Sequence, residues 1–119
     1  MRSLVSLIRD LDMIIASHSL YISRLEKAIK NGEIFDHKAP TECAFGKRFY
    51  SEVWPYVDQY PQEIAEVIRK IENVHRQFHE KAYEVEKAST AEEKQEILKA
   101  TKDISTELFR LLLQLKRLL

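Results

Sequence analysis

The chain has 119 residues, 45% of them hydrophobic, which is enough for one core and predicts a single domain over residues 1–119. Nineteen Lys and Arg balance nineteen Asp and Glu to a formal net charge of zero. The electrostatic footprint of a nucleic-acid binder is therefore missing, and an anionic membrane is not a favoured partner.

With only two Gly and three Pro, the chain makes few turns, which is the composition of an all-α fold built from long helices. From the N-terminus, Leu4, Leu7, Leu11, Ile15, His18, Ile22, Leu25 and Ile29 recur in steps of three and four. They form the buried stripe of a first long helix, which Asn31 and Gly32 close as a C-cap. His18 lies on that stripe. Arg9, Asp10 and Asp12 interrupt residues 1–15 and exclude a signal peptide there.

The pattern breaks over residues 32–61, where all three prolines fall. This segment reads as a connection carrying one short helix, with Thr41 as its N-cap and Cys43 in its first turn. The partial positive charge of a helix start favours thiolate over thiol at that position.

Pro61 suits the first turn of a second long helix, along which Ile64, Ile68, Ile71, His75, Phe78 and Ala82 keep the helical spacing. His79 follows His75 by one turn, so the two imidazoles project from one face. Ser89 and Thr90 end the run, and Thr90 with Glu93 forms a capping box for a last helix over about residues 91–118. Its stripe is Ile97, Thr101, Ile104, Leu108, Leu111, Leu115 and Leu118. The tail 111–119 holds Gln114, Lys116 and Arg117 and is too short to insert in a membrane. The leucine-rich end presents more apolar surface than one bundle face needs, which predicts a homodimer.

Three long helices, and one short helix in the connection between the first two, predict an antiparallel four-helix bundle. Such bundles build sites from side chains that project inward. His18, Cys43, His75 and His79 would then meet, and three imidazoles with one thiolate make a complete tetrahedral shell for Zn2+. Taken singly, His18 reads more readily as a satisfied core residue and Cys43 as a small buried hydrophobe. His37, before Pro40, reads as a solvated loop residue.

The residues also carry a family resemblance. The run Cys43-Ala44-Phe45-Gly46-Lys47-Arg48-Phe49-Tyr50 resembles the Cys-x-(Leu/Phe)-Gly-Lys-Trp-x-Tyr signature of the chemoreceptor zinc-binding domain family, departing from it at Arg48 in place of Trp. His18 with Tyr21 three residues on is similar to that family's first-helix element. Val74-His75-Arg76-Gln77-Phe78-His79 is similar to its His-x-x-x-His. The likeness covers about residues 11–88. It implies a cytoplasmic sensory module of bacterial signal transduction and chemotaxis, a bundle holding zinc through His18, Cys43, His75 and His79 and attached to a chemoreceptor or diguanylate cyclase.

Four protein ligands leave no open coordination position, so no enzyme activity is expected. Zinc would tie three helices together and control how they pack, and oxidation of Cys43 would remove a ligand, which makes zinc and oxidants the two candidate inputs. No output domain is recognisable in the chain. A cysteine count of one excludes an intrachain disulfide and leaves the cytoplasm as the expected location. Two other classes compete. A hemerythrin-like di-iron bundle needs more His than the one spare imidazole of His37. A structural or adaptor bundle would leave the His and Cys incidental.

Overall fold

Asp10 interrupts the first long helix. In the computed structural model, which describes residues 2–119, its backbone leaves the helical region at φ −96°, ψ 19°, and its amide bonds Leu7 O at 3.1 Å as a turn. The expected single first helix is thus two, α1 (Arg2–Arg9) and α2 (Leu11–Asn31). The break lets Leu4, Leu7 and Ile8 of α1 join the same core cluster as Leu108 and Leu112 of the last helix. The buried stripe of α2 is Leu11, Ile14, His18, Leu25 and Ala28, with Ile15, Ile22 and Ile29 at its half-buried margin. Gly32 ends α2 in the left-handed region at φ 65°, a conformation that disfavours any side chain bearing a Cβ.

Residues 44–59 are helical throughout: α3 (Ala44–Arg48), a π-helical turn (Phe49–Val53) and a 3-10 turn (Trp54–Gln59). The three prolines of residues 32–61 predict mostly connection over this stretch. Pro55, however, sits in the first turn of the 3-10 segment, where its missing N–H costs nothing. Pro61 is the N-cap of α4 (Gln62–Tyr83), one residue outside the helix. After the short 3-10 segment Glu84–Lys87, α5 (Ala91–Leu118) opens with Thr90 as N-cap, its Oγ1 accepting from the Glu93 amide at 3.1 Å. The Glu93 carboxylate reaches back to the Ser89 amide at 3.4 Å. Among the described residues there is no strand, and no helix is long and apolar enough to cross a membrane.

Helix directions follow from who shares a cluster. Leu11 and Ile14 near the start of α2, Ile64 and Ile68 near the start of α4, and Leu111 and Leu115 near the end of α5 belong to one cluster. Leu25, Ala82 and Leu98, from the opposite ends of the same helices, form the other. Accordingly α2 and α4 run parallel, α5 runs against both, and the 44–59 run returns between α2 and α4 to complete an antiparallel four-helix arrangement about 46 Å long. The two apolar clusters do not meet. Between them lie the polar residues buried in the long helices: His18, His75, His79, Thr101 and Ser105.

Candidate metal centre

Each candidate side chain reaches this level for a local reason. Helical periodicity carries His18 onto the buried stripe of α2 and puts His75 and His79 on that of α4, with relative exposures of 3%, 0% and 3%. Cys43 is not in the first turn of α3 but is its N-cap, the place expected for Thr41, and its Sγ accepts from the Gly46 amide at 3.2 Å. That geometry needs Gly46. A Cβ there would lie 1.7 Å from Pro40 O and 3.3 Å from Cys43 Sγ.

The four residues offer ligand atoms that all lie within 4.8 Å of one another. Cys43 Sγ is 3.2 Å from His75 Nε2. His18 Nδ1 donates to Ile14 O at 3.1 Å, which fixes the proton on Nδ1 and leaves Nε2 as a bare lone pair. That Nε2 is buried without a partner among the described residues, as are Nδ1 of His75 and both ring nitrogens of His79. Unpartnered buried polar atoms cost about 1–3 kcal/mol each, so the bare Nε2 of His18 and a ring nitrogen of His79, close to Cys43 Sγ and His75, mark a place for something that accepts lone pairs. A tetrahedral zinc with Zn–N and Zn–S bonds of about 2.0–2.3 Å has ligand atoms about 3.3–3.6 Å apart. The donor set and its spacing fit such an ion after side-chain adjustments of about an ångström.

Aromatic side chains wall the cluster. Phe45 lies edge-on to His75 at 4.9 Å, Phe78 edge-on to His18 at 5.5 Å, and Tyr21 beside His79 at 5.4 Å. The π turn swings Tyr50 toward α4, where its hydroxyl donates to Glu72 Oε2 at 2.9 Å. Burial and that carboxylate hold the phenol well above its usual range. Arg48, which stands where the family signature has Trp, donates to Asp10 Oδ2 at 2.7 Å and to Ser6 Oγ at 3.3 Å. Its guanidinium therefore spans α3 and the α1–α2 joint.

Burial sets the charge of the cluster. It pushes His75 down to about 2, with His79 and His18 adding to the shift. His79 falls to about 4, again through burial and then His18, while the Lys38 backbone and Glu42 work weakly the other way. Burial also lowers His18, opposed by the Ile14 carbonyl. All three imidazoles are neutral at pH 7 and can act as ligands without losing a proton. The Cys43 thiol moves upward instead: burial outweighs the Gly46 amide that favours thiolate. The sequence reading expected the helix start to favour thiolate, but α3 has five residues and its dipole is too short to win.

His37 was read as solvated, and the structure corrects this. Its side chain is 11% exposed, bonded through Nε2 to Glu86 Oε1 at 2.8 Å, and set edge-on between Phe35 and Tyr83. It is outside the four-residue cluster. Two further residues at the cluster's level carry no site expectation from the sequence: Ser105, whose buried hydroxyl lacks a partner among the described residues, and Gly46, which the signature run contains without assigning it a role. The available signals were a Thr101/Ser105 pair spaced i, i+4 on an apolar stripe and one of only two glycines placed three residues after the only cysteine.

The architecture is that of a helical bundle whose core is divided by a buried His and Cys cluster drawn from three of its elements. The family model described as the chemoreceptor zinc-binding domain matches residues 18–86, more than half of the chain, and the chain belongs to that family. No curated protein and no solved structure matches it.

Proposed function

We propose that His18, Cys43, His75 and His79 bind one zinc ion and that the chain is a regulatory, signalling module rather than an enzyme. The observation that carries this reading is the convergence of four ligand atoms within 4.8 Å, three of them on buried neutral imidazoles. Zinc bound there would displace the Cys43 proton and join α2, the start of α3 and α4 into one unit. Metal-binding free energy would then favour one helix arrangement. With four protein ligands no position is left for an attacking water, which favours a sensory or structural role.

The signal is the change in helix arrangement, and its inputs are zinc itself and oxidation of Cys43, half-buried and thus within reach of small reagents. A second copy of the chain, or an output partner such as a chemoreceptor or diguanylate cyclase, would read it in the cytoplasm. Exposed Met13 and Leu20 on α2 and Leu113 on α5 offer apolar surface for that contact. Most of the α5 leucines do not: Leu108, Leu111, Leu112 and Leu115 are buried within the chain.

Elemental analysis of protein purified without added metal tests the reading. About one zinc per chain is expected, with sharply weaker retention in His79→Ala at unchanged helix content. Iron would favour the di-iron alternative and absence of metal the adaptor bundle; full zinc retention in His79→Ala would sink the ligand assignment.

A further inference from the structure

Two depressions lead from the surface to the cluster. The larger, about 570 Å³, lies between residues 37–42 and the C-terminal part of α4, and His79 lines it. The smaller, about 180 Å³, opens between α2 and residues 38–44 and is lined by His18, Cys43 and His79. Proximity alone would favour the smaller opening, since it meets three of the four ligands.

Charge reverses that preference. The smaller opening is rimmed by Arg24 and Lys38 and, among the described residues, by no carboxylate. The larger groove carries Glu42, Glu80 and Glu84 against Lys38 and Lys87. A divalent cation is repelled from the first and drawn to the second, and clefts with low-dielectric walls concentrate such fields. At the groove, His79 is 97% buried by its 3% exposure, with both ring nitrogens unpartnered among the described residues. The acidic side chains thus lead to a ligand able to take the ion first.

We infer that zinc reaches the centre through the carboxylate-lined groove beside the C-terminal part of α4, with Glu80 and Glu84 steering the ion onto His79. The inference rests on the zinc-binding reading proposed above. Glu80 and Glu84 also approach Arg76 at 3.8 Å and Lys81 at 3.2 Å. Those pairs are exposed and weak, so a divalent ion in the groove competes for the same oxygens. Glu42 is a poorer test position because its Oε1 accepts from the Ala39 amide at 2.7 Å and shapes the loop before Cys43.

Rapid mixing of zinc chloride with the full chain stripped of metal by chelator and freed of the chelator, followed by thiolate absorbance in the ultraviolet, tests the route. In Glu80→Gln/Glu84→Gln the association rate should fall about three- to tenfold at low salt, a difference that shrinks toward 1 M salt. Dissociation into excess chelator should change by less than about twofold, because rim charges act on approach. An association rate indifferent to the double substitution overturns the route. So does an Arg24→Gln variant that speeds uptake more than the acidic pair slows it, since zinc would then pass on the α2 side. A wild-type chain that takes up no zinc overturns the zinc-binding reading itself, which separates the two failures.

Discussion

At Gly46 a single hydrogen atom sets the geometry of a candidate ligand. The Pro40 carbonyl occupies the space a Cβ would need, and the Gly46 amide donates to Cys43 Sγ from the same turn. Gly46→Ala therefore has to move backbone rather than a flexible side-chain end, at a cost of about 1–3 kcal/mol. It also displaces Sγ relative to His75. We expect zinc affinity to drop at least about tenfold, a loss of about 1.4 kcal/mol, in competition with a chromophoric chelator. Affinity equal to wild type would show that Cys43 does not depend on this cap. His18 shows the same logic on a helix: its own i−4 carbonyl holds the Nδ1 proton, so Nε2 is presented without help from another element.

At the scale of elements, two forces hold α1, and their magnitudes differ. Arg48 pairs with Asp10 across the joint, but both side chains are about a third to a half exposed, and such pairs contribute about 0–1 kcal/mol. Leu4 and Leu7 are 0% and 1% exposed, and truncating a fully buried leucine costs about 2–5 kcal/mol. Urea unfolding should thus show Leu7→Ala losing at least about twice the stability lost by Arg48→Ala. Equal losses would mean that the ion pair, not burial, anchors α1. The break at Asp10 was hard to read because the apolar stripe continues through it with unbroken spacing, as Leu7 to Leu11 shows. Likewise, Pro55 and Pro61 fall where helical segments begin, so composition suggests a loop where residues 44–59 are helical.

For the whole molecule, the buried imidazoles tie stability to pH. With folded values lowered to about 2 for His75 and about 4 for His79, and lowered for His18, the unfolded chain binds more protons than the folded one below about pH 6.5. Stability then rises with pH and is lost on acidification, at up to about 1.4 kcal/mol per pH unit for each imidazole. Cys43 acts oppositely. Its raised thiol contributes stability below the usual value of 9.0 that is lost as pH rises through the folded value. Chelator-treated protein should melt at progressively lower temperature from pH 7 to 5, and a flat profile would contradict the burial of the three rings. Zinc bound as proposed would add to stability at pH 7 and would lose its hold on acidification, as protons compete for the same lone pairs.

Much was legible in residues 1–119 alone. Helical spacing of apolar residues depends only on 3.6 residues per turn, so the three long helical stretches, the Gly32 and Thr90 caps and the inward placement of His18, His75 and His79 were all available from local pattern. So was the choice of the four candidate ligands, because donor types and their order are properties of the chain. Tertiary structure decided the rest, since it depends on what fills space around each residue: the swing of α1 at Asp10, Cys43 as the cap itself, the upward rather than downward shift of its thiol, and the burial of His37 between Phe35 and Tyr83. Burial sets electrostatics, and no local spacing records how much water a neighbouring helix will remove.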